Sequence, residues 1–436
     1  MTPAEPTARN AGATAPPPGC PAHRADGDAD TAVPLSGPRF QTEPARLYRE
    51  MRRDHGSVAP VTLDGGIPAW LVLGYRELHQ VTGDPVLFSR DSDLWNQWNS
   101  VPEDWPLARL VGRRQPSILY TTGERHRERA TMVSDALEAV DPFMLRHFAE
   151  QLADELIDGF CTEGATDLIS RYAMPFPVRV LARIYGFPDD QGPGLAAAAT
   201  DLARGGERVE AAQRYLFEAT ASLLAGKKAG AGPSDVASRL LRNTAGFTEE
   251  DVLHDLMALA LAGHTLTADW IGNSLRLMLT DDRFATTLSG GRHSVAEAMN
   301  EVLWEDTPVQ NVAGRWATRD TSLGDRHIKA GDMLLLGIAA ANNDPQVRTH
   351  GSALTGGNNA YFSFGHGEYR CPFPAQEIAE VIARTAIEVL LDRLPDLDLA
   401  VPAEALTRRP SPWARGLTTL PVSFTPAPTV RPGDGR

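Results

Sequence analysis

Two rhythms of hydrophobic and polar positions run along this chain. Ile67-Pro68-Ala69-Trp70-Leu71-Val72-Leu73 is a dense apolar run ahead of Gly74 and predicts a strand. Helical periodicity over 123–138 and 143–160 predicts two amphipathic helices parted by Asp141-Pro142. Met174-Pro175-Phe176-Pro177 interrupts the next segment. Residues 193–228 are Ala-rich and helical, with a break at Gly205-Gly206, and Pro233-Ser234-Asp235 opens another helix.

Thr248 followed by Glu249-Glu250-Asp251 is a capping-box start, a hydroxyl cap with acids in the first turn. Periodicity then runs to Leu279 without proline, a rod of roughly 45 Å at 1.5 Å per residue. Ala258, Ala260, Ala262 and Gly263 give its middle a low profile, so that a bulky group can lie against it. A helix is expected over 294–304 and strands near 314–318 and 333–337, with turns at Gly324 and Gly331-Asp332. A Gly- and Asn-rich loop, 351–359, precedes a last long helix over 375–394. The chain carries no internal repeat.

Charge narrows the function classes. The 436 residues carry a net charge of −14, which excludes the basic footprint of a nucleic-acid binder. Residues 1–36 are rich in Pro, Ala, Gly and Asp and lack an apolar core segment; they read as a disordered tail rather than a secretory signal. No stretch reaches the roughly 20 apolar residues that a membrane helix needs, so a cytoplasmic protein without a membrane anchor is expected. The three cysteines, Cys20, Cys161 and Cys371, are too few and odd in number for a disulfide framework. Cys161 follows an apolar helical pattern ending at Phe160 and reads as a half-buried thiol without chemistry.

Cys371 is the exception. It lies in Tyr361-Phe362-Ser363-Phe364-Gly365-His366-Gly367-Glu368-Tyr369-Arg370-Cys371-Pro372-Phe373-Pro374-Ala375. The glycines let backbone pass close to a flat object, aromatic rings flank the sulfur, and Pro374 suits the first turn of the helix that follows. A helix N-terminus with Arg370 alongside is expected to favour thiolate, the form that haem iron takes as an axial ligand. The alternative is a buried cysteine in a Gly-rich turn.

The run resembles the haem-binding signature of cytochromes P450, Phe-x-x-Gly-x-His/Arg-x-Cys-x-Gly, with Phe364, Gly365, Gly367 and Cys371 in register. Tyr369 stands where His or Arg bonds a haem propionate, and Phe373 replaces the later Gly. The resemblance spans about Ala45 to Ser423. It implies a mainly α, triangular helical prism with a small β region, one haem-thiolate domain over 37–426 and a tail over 427–436. Haem b, with its iron on Cys371, then lies between the long helix, at Gly263, and the last one. The resemblance also gives Arg315 and His126 roles at the propionates; the Arg that the family carries one turn after that His is Ala130 here, with Arg127 and Arg129 close by.

Two family motifs are altered. The acid–alcohol pair on the long helix, which delivers protons during oxygen activation, is Thr265-Leu266, and Thr267 is about 100° further round the helix. Thr265 and Thr267 are the remaining catalytic hydroxyls; the alternative is that both bond back to helix carbonyls. The Glu-x-x-Arg motif reads Glu301-Val302-Leu303-Trp304, and the third arginine of that lock falls at Gly356. With both arginines missing, Glu301 is expected to face solvent or bond to backbone.

The resemblance implies a monooxygenase acting on a small apolar metabolite with electrons from a ferredoxin. Two alternatives remain: oxidative coupling or cyclisation without oxygen insertion, and a haem-bearing, non-catalytic partner of another enzyme. Trp95, Trp98 and Trp105 border the expected substrate side, where loop packing is the simpler reading.

Overall fold

The computed structural model describes residues 32–430, except 103, 104, 106, 112–115, 205, 231–233, 244, 282–283, 285–292 and 349–357. Cys20, Gly205, Pro233, Gly356 and most of the 351–359 loop therefore lie outside the described residues. The described chain begins ahead of residue 37. Strand β1 (Val33–Pro34) pairs in parallel with β2 (Val58–Leu63), and Leu35 is buried. At the other end, the Ala427 amide donates to the Cys161 carbonyl, so the first part of the expected tail is tied to the body.

β2 pairs antiparallel with β3 (Ile67–Val72), which pairs in parallel with β6 (Met333–Leu336). β4 (Phe88–Ser89) and β5 (Val312–Ala317) complete a six-stranded sheet in the order β1-β2-β3-β6-β5-β4. Strands from both halves of the chain thus share the sheet, which sequence spacing alone did not indicate. Trp95 and Trp105 bury into the core beneath it, alongside Leu71 and Trp316. The Trp98 indole N–H donates to the Ser92 carbonyl, so the three tryptophans pack a loop.

Helices form the bulk of the molecule: α1 (Tyr75–Gly83), α2 (Gly123–Leu137), α3 (Pro142–Asp158), α4 (Pro175–Tyr185), α5 (Gly192–Arg204), α6 (Val209–Ala229), α7 (Glu249–Thr280), α8 (His293–Glu305) and α9 (Ala375–Arg393). The prolines after Met174 stand in the first turn of α4, where a missing N–H costs nothing, instead of breaking a helix. α7 opens with the expected capping box, Thr248 and Asp251 each bonding the other's backbone N–H, and runs 32 residues. It packs on α4, α8 and α9 and so forms the axis of the main core. Cys161 is fully buried in that core. No helix among the described residues is long and apolar enough to cross a membrane.

Candidate active site

The loop before α9 is fixed from below by side chains. Ser363 Oγ donates to the Leu303 carbonyl at 2.8 Å, Thr307 donates to Ser363 at 2.9 Å, and Asn342 Oδ1 accepts from the Phe362 amide at 2.8 Å. Two glycines are required. Gly365 (φ 78°) and Gly367 (φ 71°) are left-handed, and a Cβ on Gly367 would collide with the Thr82 carbonyl of α1. The Cys371 amide closes the loop on the Phe364 carbonyl at 2.9 Å.

Cys371 opens into a cavity of about 140 Å³ between α4, α7 and α9. Gly263, Leu266, Thr267 and Trp270 of α7 form the facing wall, with Phe364 beside the sulfur. Trp270 stands edge-on to Phe364, with ring centroids 5.8 Å apart. The thiol lines this cavity; burial pushes its pKa up to about 11, against the pull of the Arg90 charge. Burial thus favours the protonated thiol. Arg370 is exposed and is not among the groups that shift the thiol, so the expected help from that side chain is absent. A thiolate here needs a metal to displace the proton.

Cationic groups gather beside the cavity. The Arg315 guanidinium lies 4.8 Å from the Tyr369 ring centroid and that of Arg90 5.3 Å from it. His126 stacks edge-on with Tyr369, centroids 4.7 Å apart, and its Nε2 donates to the Glu368 carbonyl at 3.3 Å. Burial, then repulsion from Arg90, lowers Arg315 to about 9, and the same two causes lower His126 to about 4. Arg315 Nε is buried without a partner. Arg129, by contrast, is fully buried on Asp251 and Asp255 of α7, and Arg127 pairs with Glu124 and Glu368. Neither joins the cluster.

No family model matches the chain. Among curated relatives, cytochrome P450-SU2 of Streptomyces griseolus is 29% identical, over 91% of this chain and 98% of its own length. Cytochrome P450 monooxygenase PikC of Streptomyces venezuelae is 28% identical, over 89% and 92%. The solved structure of CYP154C4 from Streptomyces sp. ATCC 11861 superposes with a TM-score of 0.80 at 27% identity, over 91% of this chain and 99% of that one. The chain is similar to bacterial cytochromes P450 over about nine-tenths of its length and shares their fold. It is an enzyme of the monooxygenase/oxidase class with haem b as its cofactor, which removes the non-catalytic reading.

The residues present fit haem. The cavity is apolar at Gly263 and Leu266, carries one thiol, and has beside it a cationic cluster containing an orphaned guanidinium N–H. That cluster suits the carboxylates of an anionic macrocycle. Arg90 was missed at the sequence level because it belongs to no family motif; its only signal was a cation directly after a short apolar run.

The altered motifs resolve differently. Leu266 and Thr267 both line the cavity, whereas Thr265 lies outside it, 3.4 Å from His264 Nδ1. The cavity wraps far enough round α7 to include Thr267 as well as Leu266. Glu301 is not solvent-facing, as the sequence led us to expect. It is 4% exposed and takes a hydrogen bond from Arg348 at 2.6 Å. Arg348 also lies 5.6 Å from the Trp304 ring centroid, and the Trp304 indole donates to the Asn358 carbonyl at 3.0 Å. The lock is rebuilt with an arginine from the segment after Asn342-Asn343-Asp344-Pro345.

Proposed function

We propose that Cys371 is the axial haem ligand and that the enzyme inserts oxygen into a small apolar molecule, using electrons from a ferredoxin-type carrier. The observation carrying this reading is a lone thiol opening into a cavity whose walls, apart from Tyr185, Thr267, Trp270 and Ser363, offer only carbon. A second apolar pocket between α4, α5, α6 and α7 shares Leu181 and Tyr185 with the first, which gives an elongated substrate room to extend.

When bound, haem supplies dioxygen activation. Phe364 and Gly365 hold the loop that presents Cys371, and Gly263 leaves space on α7. Arg315, His126 and Tyr369 would hold the haem propionates. Leu266 keeps its part of the wall dry, and Thr267 is the α7 hydroxyl that can hold water and pass a proton within the cavity.

Oxidative coupling without oxygen insertion is the second reading, favoured by Leu266 occupying the wall where the family carries its relay alcohol. The test is turnover of holoenzyme with ferredoxin, reductase, candidate apolar ligands and labelled dioxygen. The proposal predicts substrate-dependent reductant use and one labelled oxygen per product. Unlabelled product with a new carbon–carbon or carbon–oxygen bond supports coupling. Reductant use indifferent to every ligand that shifts the haem spectrum contradicts both.

A further inference from the structure

Three cationic or protonatable side chains lie close together beside the cavity without an acid. The groups favouring charge on Arg90 are Tyr369, Tyr120 and Cys371, and the one favouring it on Arg315 is Tyr369. Among the described residues neither arginine makes an ion pair with a carboxylate. Glu368, next to Tyr369, pairs with Arg127 instead, and Asp91, next to Arg90 in sequence, accepts from the Asp93 amide. Two guanidiniums over one phenol repel each other, and burial weakens the solvent screening that would relieve them. Such a pair is tolerated in a folded core when a dianionic guest completes it.

The chain also lacks two cations that its family places at this point, since Ala130 and Tyr369 occupy those positions. Arg129, the nearest substitute on α2, is committed to Asp251 and Asp255. Arg90 comes from a different element altogether, the segment leaving β4. β4 pairs with β5 through Phe88–Ala317 and Ser89–Trp316, and that register brings Arg90 alongside Arg315 on the neighbouring strand.

We propose that Arg90 is a haem-propionate ligand, acting with Arg315 over the Tyr369 ring and replacing the cations absent at 130 and 369. This rests on haem occupying the Cys371 cavity. Arg90 is a positioning residue: its part is to hold and orient the macrocycle. A guanidinium on strand β4's exit binds a carboxylate by a charge-assisted, forked contact that a lysine reproduces only in part.

The test separates the propionate contact from general damage. Full-length wild type and Arg90→Gln are each loaded with haem or with haem dimethyl ester, whose propionates are neutral, and release to excess apomyoglobin is timed. With haem, Arg90→Gln is expected to release roughly tenfold to a hundredfold faster, the range for losing a charged hydrogen bond, and Arg90→Lys to fall between. With the ester, the two proteins should release at nearly equal rates. Equal acceleration with both macrocycles, as misfolding would give, overturns the proposal, and so does unchanged release with haem. The carbon monoxide spectrum of ferrous Arg90→Gln reports on the thiolate independently. A normal thiolate band with unchanged release refutes Arg90 alone, whereas a wild type without that band refutes the cavity assignment itself.

Discussion

Arg348 holds Glu301 at 2.6 Å across 47 residues of chain, and the guanidinium lies over the ring of Trp304. A Glu–Arg–Arg lock has become a Glu–Arg–Trp one, with the arginine drawn from elsewhere. Both partners are largely buried, so removing one leaves the other unpaired. Arg348→Ala is expected to cost about 3–5 kcal/mol, the range for breaking a buried pair, read as a fall in melting temperature and in haem occupancy. Adding Glu301→Gln to it should restore part of the loss. A melting temperature unchanged in Arg348→Ala contradicts the rebuilt lock.

Trp304→Arg restores the family letter but not the family lock. It removes a ring that is 4% exposed and sets a second guanidinium beside Arg348. A loss of a few kcal/mol is expected, as for large-to-unlike core changes. Thermal melting of the holoprotein decides it, and a rise would show that the site accepts the family's pairing.

His264 is buried on α7 and donates through Nε2 to the Met174 carbonyl at 3.0 Å. Burial is the main cause that lowers its pKa from 6.5 to about 4. Between those values the unfolded chain binds a proton that the folded chain refuses, so stability rises with pH from about 4 to 6.5 and is lost on acidification through that window. His264→Gln should flatten the melting-temperature profile there while leaving it unchanged above pH 7. An identical acid slope in the variant contradicts a neutral buried His264.

Proton delivery is the chemical weak point. Leu266 occupies the cavity wall and relays nothing, so poorly fitting substrates should divert reductant to peroxide. Thr265→Glu with Leu266→Thr reinstates the pair; general acid–base groups contribute about 10²–10⁴ in rate, so the effect on coupling should be large. If the native reaction inserts oxygen, product per reductant rises. If it couples, hydroxylated by-product appears. Wild-type coupling and products in the double variant would show that Thr267 or water already serves.

The parts of this fold that were legible in sequence are those written locally. Thr248 and Asp251 announced the start of α7, Gly365, Gly367 and Cys371 carried the loop, and period alone outlined α2, α3 and α9. What stayed hidden depends on partners distant in the chain. Arg348 meets Glu301, Arg90 meets Arg315, and Trp70 of β3 pairs with Leu334 of β6 only after the chain has folded. Spacing could not separate Thr265 from Thr267, because which helical face a cavity reaches is set by α4 and α9, not by α7.

The central claim is that the cavity holds haem through Cys371. It is tested most directly by the difference spectrum of carbon monoxide on ferrous protein. Wild type and Cys161→Ser should both give the red-shifted band of thiolate ligation, and Cys371→Ser should lose it. Retention of that band in Cys371→Ser would contradict the account.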